Sequence, residues 1–334
     1  MKACIYGAGA IGGWLGMALA QGGCAVSMVA RGDTLQALQT EGLRMRRADG
    51  TLAKAAVTAH DNPAALGVQD LVVIAVKAPS LPAVVQDMGQ LIGPDTIVLT
   101  AMNGVPWWFL DGVGSPESAA SGHALQSVDA GGVMARAIPA RQVVGSVVHT
   151  SCAIEAPGFV RQHFGNRLIL GEPNGSRSAR VQRLADALQR GGIDAEVSDR
   201  IQQDVWFKLW GNLTMNPISA LTGATTDRIL DDDLVLGFVS AVMLEAKAIG
   251  DKLGLPIDQQ PEDRHAVTRK LGAFKTSMLQ DVEAGKPMEI DALVGAVREL
   301  GQITRTPTPH TDALLGLTRL MARTRGLYGA ALPK

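Results

Sequence analysis

The sequence predicts an α/β protein: a doubly wound parallel sheet with an antiparallel extension, followed by an all-helical domain. Three observations carry this. The apolar run Lys2–Tyr6 meets a glycine turn and then a helix-forming stretch. Apolar strands and helical stretches alternate from there to Thr100. Beyond Asp199 the hydrophobic spacing is helical almost to the end.

Taken in order, Lys2–Tyr6 is short, apolar and stopped by glycine, as a buried parallel strand should be. Ala10 to Gln21 is rich in Ala, Leu and Met and ends at Gly22-Gly23, which suits a helix and its stop. Ala25–Ala30 forms the second strand, and Asp33-Thr-Leu-Gln36 looks like a capping box opening the next helix. Gly42 to Val57, with Asp49-Gly50 at its middle, reads as a β-hairpin. Asp70–Val76 is the third parallel strand, followed by a helix from Leu81 to Ile92; Thr96–Thr100 is the fourth strand. The segments 127–137, 142–150, 158–164 and 167–170 are expected as short antiparallel strands that extend the sheet. A helix over Ser178–Arg190 and a strand over Ile193–Val197 close this half. Helical runs follow at 201–215, 232–254, 262–284, 291–303 and 311–325. The expected domains are therefore 1–199 and 200–334.

Composition removes several classes of function. Thirty-one basic against thirty-two acidic residues give a net charge of −1, which argues against nucleic-acid or anionic-membrane partners. With 4% aromatic residues there is little material for base stacking. Cys4, Cys24 and Cys152 are an odd set without a close pair, so they read as reduced thiols of a cytoplasmic protein. The six histidines are scattered, which leaves a metal site without support. The charge-free run Ala3–Gln21 could pass for a leader or a membrane span, but its five glycines fit strand, turn and helix better. No targeting segment is expected. The apolar helical half would suit a homodimer.

Gly7-Ala-Gly9-Ala-Ile-Gly12 lies between an apolar strand and a helix, with a second strand shortly after. In that setting the first glycine permits the tight turn, the second admits a pyrophosphate and the third lets helix pack on strand. This is the pattern of a Rossmann-type unit, with Gly7, Ala8, Gly9, Ala10, Ile11 and Gly12 around a dinucleotide at the helix N-terminus. The end of the second strand selects the cofactor: an acid suits the ribose hydroxyls of NAD, a basic residue the 2′-phosphate of NADP. Arg31 holds the phosphate position, whereas Asp33 comes late and suits a helix N-cap. NADPH is the expected cofactor. Lys77, after the third parallel strand, is either a solvated loop residue or a cofactor contact. Asn103-Gly104, after the fourth, is either an ordinary turn or a hydrogen-bonding group for cofactor or substrate.

Lys208, Asn212 and Asn216 recur every fourth residue within the apolar, aromatic segment 205–217. That spacing puts them on one helix face. A buried lysine and two asparagines with no task would be costly, although such a stripe could also pin helix to sheet. Hydride transfer to a ketone leaves an alkoxide that needs a proton and a nearby positive charge, and a lysine ammonium supplies both. Asparagine amides would orient the substrate without adding charge. Partial desolvation would lower the lysine pKa and make it a better acid near neutrality. Ser277 and Asp281 share a helix face and Glu289-Ile-Asp291 precedes a helix; taken alone, such acids read as caps or dipole partners.

Together, Gly7–Gly12, Val76-Lys77-Ala78, Asn103-Gly104, the stretch from Lys208 through Asn216-Pro217, Ser277–Asp281 and Glu289-Ile-Asp291 resemble the ketopantoate reductase (2-dehydropantoate 2-reductase) family over nearly the whole chain. The resemblance implies a Rossmann domain plus an all-helical domain, with catalysis in the cleft between them. It implies that Lys208 is the proton donor, that Asn103, Asn212, Asn216 and Ser277 hold the substrate, and that Glu289 contacts substrate or cofactor. The implied reaction reduces the small 2-oxo acid ketopantoate to pantoate with NADPH, on the route to pantothenate and coenzyme A. The chain departs from the pattern where some members carry another substrate-binding asparagine: here the residues are Ala224-Thr225-Thr226-Asp227. Pro106-Trp107-Trp108-Phe109 is either core or a reshaped substrate pocket. Three other readings stand beside this one: a related enzyme acting on another 2-oxo acid, a β-hydroxyacid dehydrogenase, and a non-catalytic NADP sensor.

Overall fold

A computed structural model describes residues 1–113 and 123–329. The chain separates into two compact units, Met1–Met102 with Val133–Ile201, and Asn103–Gly132 with Gln202–Lys334.

In the first unit the elements run β1 (Lys2–Tyr6), α1 (Ala10–Gln21), β2 (Ala25–Val29), α2 (Gly32–Glu41), β3 (Leu43–Arg46), β4 (Leu52–Ala55) and β5 (Thr58–His60). They continue as β6 (Leu71–Ile74), α3 (Leu81–Met88), β7 (Ile97–Thr100), α4 (Val133–Ala137), β8 (Val143–Ala156), β9 (Phe159–Gly171), α5 (Ala179–Arg190) and β10 (Asp194–Val197). One sheet holds all of these strands in the order β4-β3-β9-β8-β7-β6-β1-β2-β5, with β10 beside β9. From β5 to β8 the neighbours are parallel, which is the doubly wound arrangement with its reversal beside β1. Tyr6 pairs with both Val29 and Ile74, and Ile74 with Thr100, so these four strands end in register. The loops that begin at Gly7, Ala30, Ala75 and Ala101 therefore leave the same edge of the sheet.

The lack of charge in α1 follows from where it lies. Every residue from Gly12 to Leu19 is buried, and the helix packs against β1, β3, β9 and α5. A helix covered on so many sides has no solvent face for charged residues.

Several expectations change in detail. β5 supplies the third parallel strand next to β2, so β6 and β7 are the fourth and fifth. At three residues it is too short to show alternation. The hairpin of β3 and β4 does form, but it joins the sheet through β9. Residues 127–137 are not a strand: a 3-10 turn at Ala130–Gly132 leads into α4, and Gly131 and Gly132 adopt φ of 69° and 70°. That left-handed backbone is incompatible with a strand. The three short strands expected after residue 140 are two long ones, with Gly165 forming a kink inside β9 where the pairing with β8 shifts register. Arg31, not Asp33, is the N-cap of α2, and Asp33 lies in its first turn.

The second unit contains α6 from its second residue (Ile201–Thr222), α7 (Thr226–Asp231), α8 (Asp233–Leu253), α9 (Pro261–Arg269), α10 (Ser277–Glu283), α11 (Ala296–Ile303) and α12 (Pro309–Thr324), with a π turn at Asp291–Gly295 before α11. The helical run expected over 262–284 is broken at Gly272, whose φ is 60°. The sequence reading keeps residues 103–132 with the first domain; by their contacts the described residues of that stretch, 103–113 and 123–132, group with these helices. Their bonds explain the grouping. Val105 N–H donates to Ala292 O, Gln202 Nε2 to Asp111 O, and Glu299 accepts from the backbone of Gln126 and Ser127. Trp108 and Phe109 are buried, and Phe109 packs 5.9 Å from the Trp206 ring. Among the described residues, no helix is long and apolar enough to cross a membrane.

Candidate active site

Two sets of residues were expected to carry chemistry, and each lies within one unit. In the first unit the three glycines of the turn do different things. Gly7 has φ of 108°, and a Cβ there would stand 2.7 Å from Ala75 O. A Cβ on Gly12 would come within 2.0 Å of Gly7 O. Both positions are glycine because the fold leaves no room. Gly9 differs: a Cβ built there meets nothing within 4 Å. It is the N-cap of α1, contributes no capping side chain, and no acid occupies the first turn. The open space therefore faces uncapped backbone N–H groups at the positive end of a helix, where Ala10, Ile11 and Gly12 begin. Those features fit an anionic group such as a pyrophosphate.

Arg31 caps α2 from the loop after β2, with a side chain 77% exposed. Its Nη2 stands 3.9 Å from Asp87 Oδ2, a solvent-exposed pairing too long and too wet to occupy the guanidinium. The two residues line a cavity of about 620 Å³ together with Asp61, Asn62, Gln86 and Gln90. Lys77 follows β6, half-buried, at the start of a 3-10 turn over Ala78–Ser80.

In the second unit, α6 presents Lys208, Asn212 and Asn216 along one stripe. Lys208 Nζ donates to Asn103 Oδ1 at 2.8 Å. Asn103 is held by its neighbours: Gly104 has φ of 84° and lies so close to the π turn that a Cβ would stand 2.5 Å from Ala292 O. Burial pulls the Lys208 ammonium down to about 8, opposed by the attraction of Glu289 and assisted by repulsion from Arg264. Glu289 is 5% exposed and Asn216 6%. Asp291, two residues from Glu289, accepts instead from Tyr328 Oη at 2.7 Å. Burial raises the Asp291 pKa, and burial with that hydrogen bond pushes the Tyr328 phenol up to about 12.

The structure thus brings Lys208, Asn103 and Glu289 together, with Asn212 and Asn216 farther along the same helix. Among the described residues, the side chains of Asn212, Asn216 and Ser277 make no hydrogen bond, which leaves their polar groups available. Ser277 is the first residue of α10, after the Thr276 cap, whose Oγ1 accepts from Leu279 N. The Pro106–Phe109 cluster is core, with Trp108 1% exposed. The sequence reading missed Arg264, on α9. Its guanidinium packs against Gly211 and over the Phe207 ring. The one trace in the sequence was Gly211 itself, a glycine inside a helix, which costs roughly 0.5–1 kcal/mol relative to alanine and so needs a reason.

Comparison with known proteins agrees along the whole chain. The family described as "Ketopantoate reductase PanE/ApbA" matches residues 3–175, and "Ketopantoate reductase PanE/ApbA C terminal" matches residues 200–322. A 2-dehydropantoate 2-reductase of Mesorhizobium japonicum is 46% identical over 98% of this chain and 100% of its own. A crystal structure of a candidate ketopantoate reductase from Ralstonia solanacearum is 56% identical, with a TM-score of 0.92 over 98% of this chain and 99% of that one. The fold extends to a D-mandelate dehydrogenase solved with NADH and anilino(oxo)acetate, 23% identical, with a TM-score of 0.81 over 98% and 100% of the two chains. The paired matches, in order and near full length, place this chain in the ketopantoate reductase family of oxidoreductases.

Proposed function

We propose that the chain reduces a 2-oxo acid with NADPH, and that the acid is ketopantoate (2-dehydropantoate), giving pantoate. The observation that carries this is the half-buried Lys208, hydrogen-bonded to Asn103 Oδ1 and brought down to about 8. Family membership supports the same reaction and weighs against the β-hydroxyacid dehydrogenase and sensor readings.

NADPH, when bound, supplies the hydride to the ketone carbon. Gly7–Gly12 and the N-terminus of α1 would hold its pyrophosphate, Arg31 its 2′-phosphate, and Lys77, Asn103 and Glu289 would complete its contacts. As charge builds on the ketone oxygen, Lys208 gives that oxygen a proton and becomes a neutral amine. A lysine near 8 is still mostly protonated at neutral pH, yet a much stronger acid than one in water. Asn103 keeps the ammonium aimed through Oδ1, and its Nδ2 can donate to the substrate. Asn212, Asn216 and Ser277 would hold the remaining substrate oxygens, and Glu289 restores the positive charge on Lys208 after each turnover by favouring its protonated form.

The test is consumption of NADPH, followed by absorbance, with ketopantoate and a panel of other 2-oxo and 3-hydroxy acids. Ketopantoate should be turned over best. Turnover of no 2-oxo acid would sink the proposal, and a better 2-oxo acid would correct the substrate alone.

A further inference from the structure

One cation beside Lys208 has no part in the reaction as written above. Arg264 lies so close to α6 that a Cβ on Gly211 would stand 2.6 Å from its Nε and 2.7 Å from its Nη2. Its Cζ is 5.6 Å from the centre of the Phe207 ring. Phe207 and Gly211, four residues apart, share the stripe of α6 beside the one that carries Lys208 and Asn212, so the guanidinium rests next to that polar stripe. Alanine at 211 would displace it. Nε is enclosed and has no hydrogen-bond partner. Among the described residues, no carboxylate or carbonyl pairs with the terminal nitrogens either. Arg180 and Arg46, also half-buried, are held by Glu172 and Glu155. The acid near this face, Glu289, acts on Lys208.

A desolvated guanidinium without an anion is unfavourable, and its planar fork matches a carboxylate or a phosphate; of these, a 2-oxo acid carries the carboxylate. We propose that Arg264 binds the carboxylate of the 2-oxo acid, setting the preference for an anionic substrate over a neutral ketone. The inference rests on the reductase reading above. With the carboxylate on Arg264, the adjoining keto oxygen is directed to Lys208, whose ammonium lies within electrostatic reach of the guanidinium. The same charge repels the Lys208 ammonium. Substrate binding would neutralise Arg264 and so raise the Lys208 pKa in the complex.

The experiment compares ketopantoate with its ethyl ester, which keeps the ketone and lacks the negative charge, on wild-type enzyme, Arg264→Gln and Arg264→Lys. For Arg264→Gln, kcat/KM on the acid should fall by about 100-fold, the loss expected for one charge-assisted contact. Activity on the ester and KM for NADPH should hardly change. Arg264→Lys should recover part of the acid activity. In the wild type, the alkaline limb of kcat with the acid should lie at higher pH than that of kcat/KM, and Arg264→Gln should remove this gap. Equal losses on acid and ester, or wild-type activity on the acid, would overturn the role of Arg264. Failure of both variants to fold would overturn it too, by making the residue a structural support. If the wild-type enzyme reduced no 2-oxo acid, the reductase reading itself would fall, which is a separate result from a variant that treats acid and ester alike.

Discussion

Lys208 and Asn103 are 105 residues apart in the chain, and Nζ of the first donates to Oδ1 of the second at 2.8 Å. The bond ties the lysine of α6 to the loop after β7 and holds its ammonium in place, and Nζ carries two further N–H groups. If Lys208 is the proton donor, kcat/KM should be level below about pH 8 and fall tenfold per pH unit above it, following loss of the ammonium. A profile flat to pH 10 would remove Lys208 from that role.

Replacing Lys208 by Met should lower kcat by about 10²–10⁴-fold, the usual contribution of a positioned general acid, with NADPH affinity retained. Stability should move the other way. The folded-state pKa, about 8, lies below the 10.5 of a lysine in water, so between these values the unfolded chain holds the proton and the folded chain does not. Wild-type stability therefore rises with pH across that window, and below it the buried charge costs on the order of 3 kcal/mol. Denaturant melts should show Lys208→Met ahead of the wild type at pH 7, with the gap narrowing as pH passes 8 toward 10.

Gly9 and Gly12 separate cofactor binding from folding. Gly9→Ala places its methyl in open space, so the melting temperature should be near wild type while the Kd for NADPH rises about tenfold or more. Gly12→Ala drives a methyl into Gly7 O, and should cost on the order of 3 kcal/mol in a denaturant melt. Equal destabilisation by the two changes would contradict the open space at Gly9.

Arg31→Ala should weaken NADPH about 10- to 100-fold, the value of one charge-assisted phosphate contact, and leave NADH nearly unchanged. Titration of both cofactors against wild type and variant decides the point. Equal loss of the two would take Arg31 away from the 2′-phosphate. The stability of Arg31→Ala should be close to wild type, because its side chain is 77% exposed and its pairing with Asp87 is long.

Much of this protein was legible in local pattern. The strand, glycine turn and helix at the start are set by residues within twenty positions of one another, and α1 runs over Ala10–Gln21 as its composition suggests. The spacing of Lys208, Asn212 and Asn216 likewise put them on one stripe of α6, a matter of helical pitch alone. Where the reading slipped, the cause was also local. β5 is too short for a period to show, and Gly165 looked like a strand end although the ladder continues past it.

By itself, then, the sequence determined the α/β and helical halves, the dinucleotide turn and the polar stripe, because each depends on periodicity or on a few adjacent residues. Only the tertiary structure decided which distant groups share the space around Lys208. It set Glu289 within electrostatic reach of the lysine and bonded Asp291 to Tyr328, although the two acids are only two residues apart in the chain. It placed Asn103 with the helical unit, sent the Trp107-Trp108-Phe109 cluster into the core and laid Arg264 against Gly211. Desolvation and close approach depend on everything that surrounds a group, and no local pattern records them.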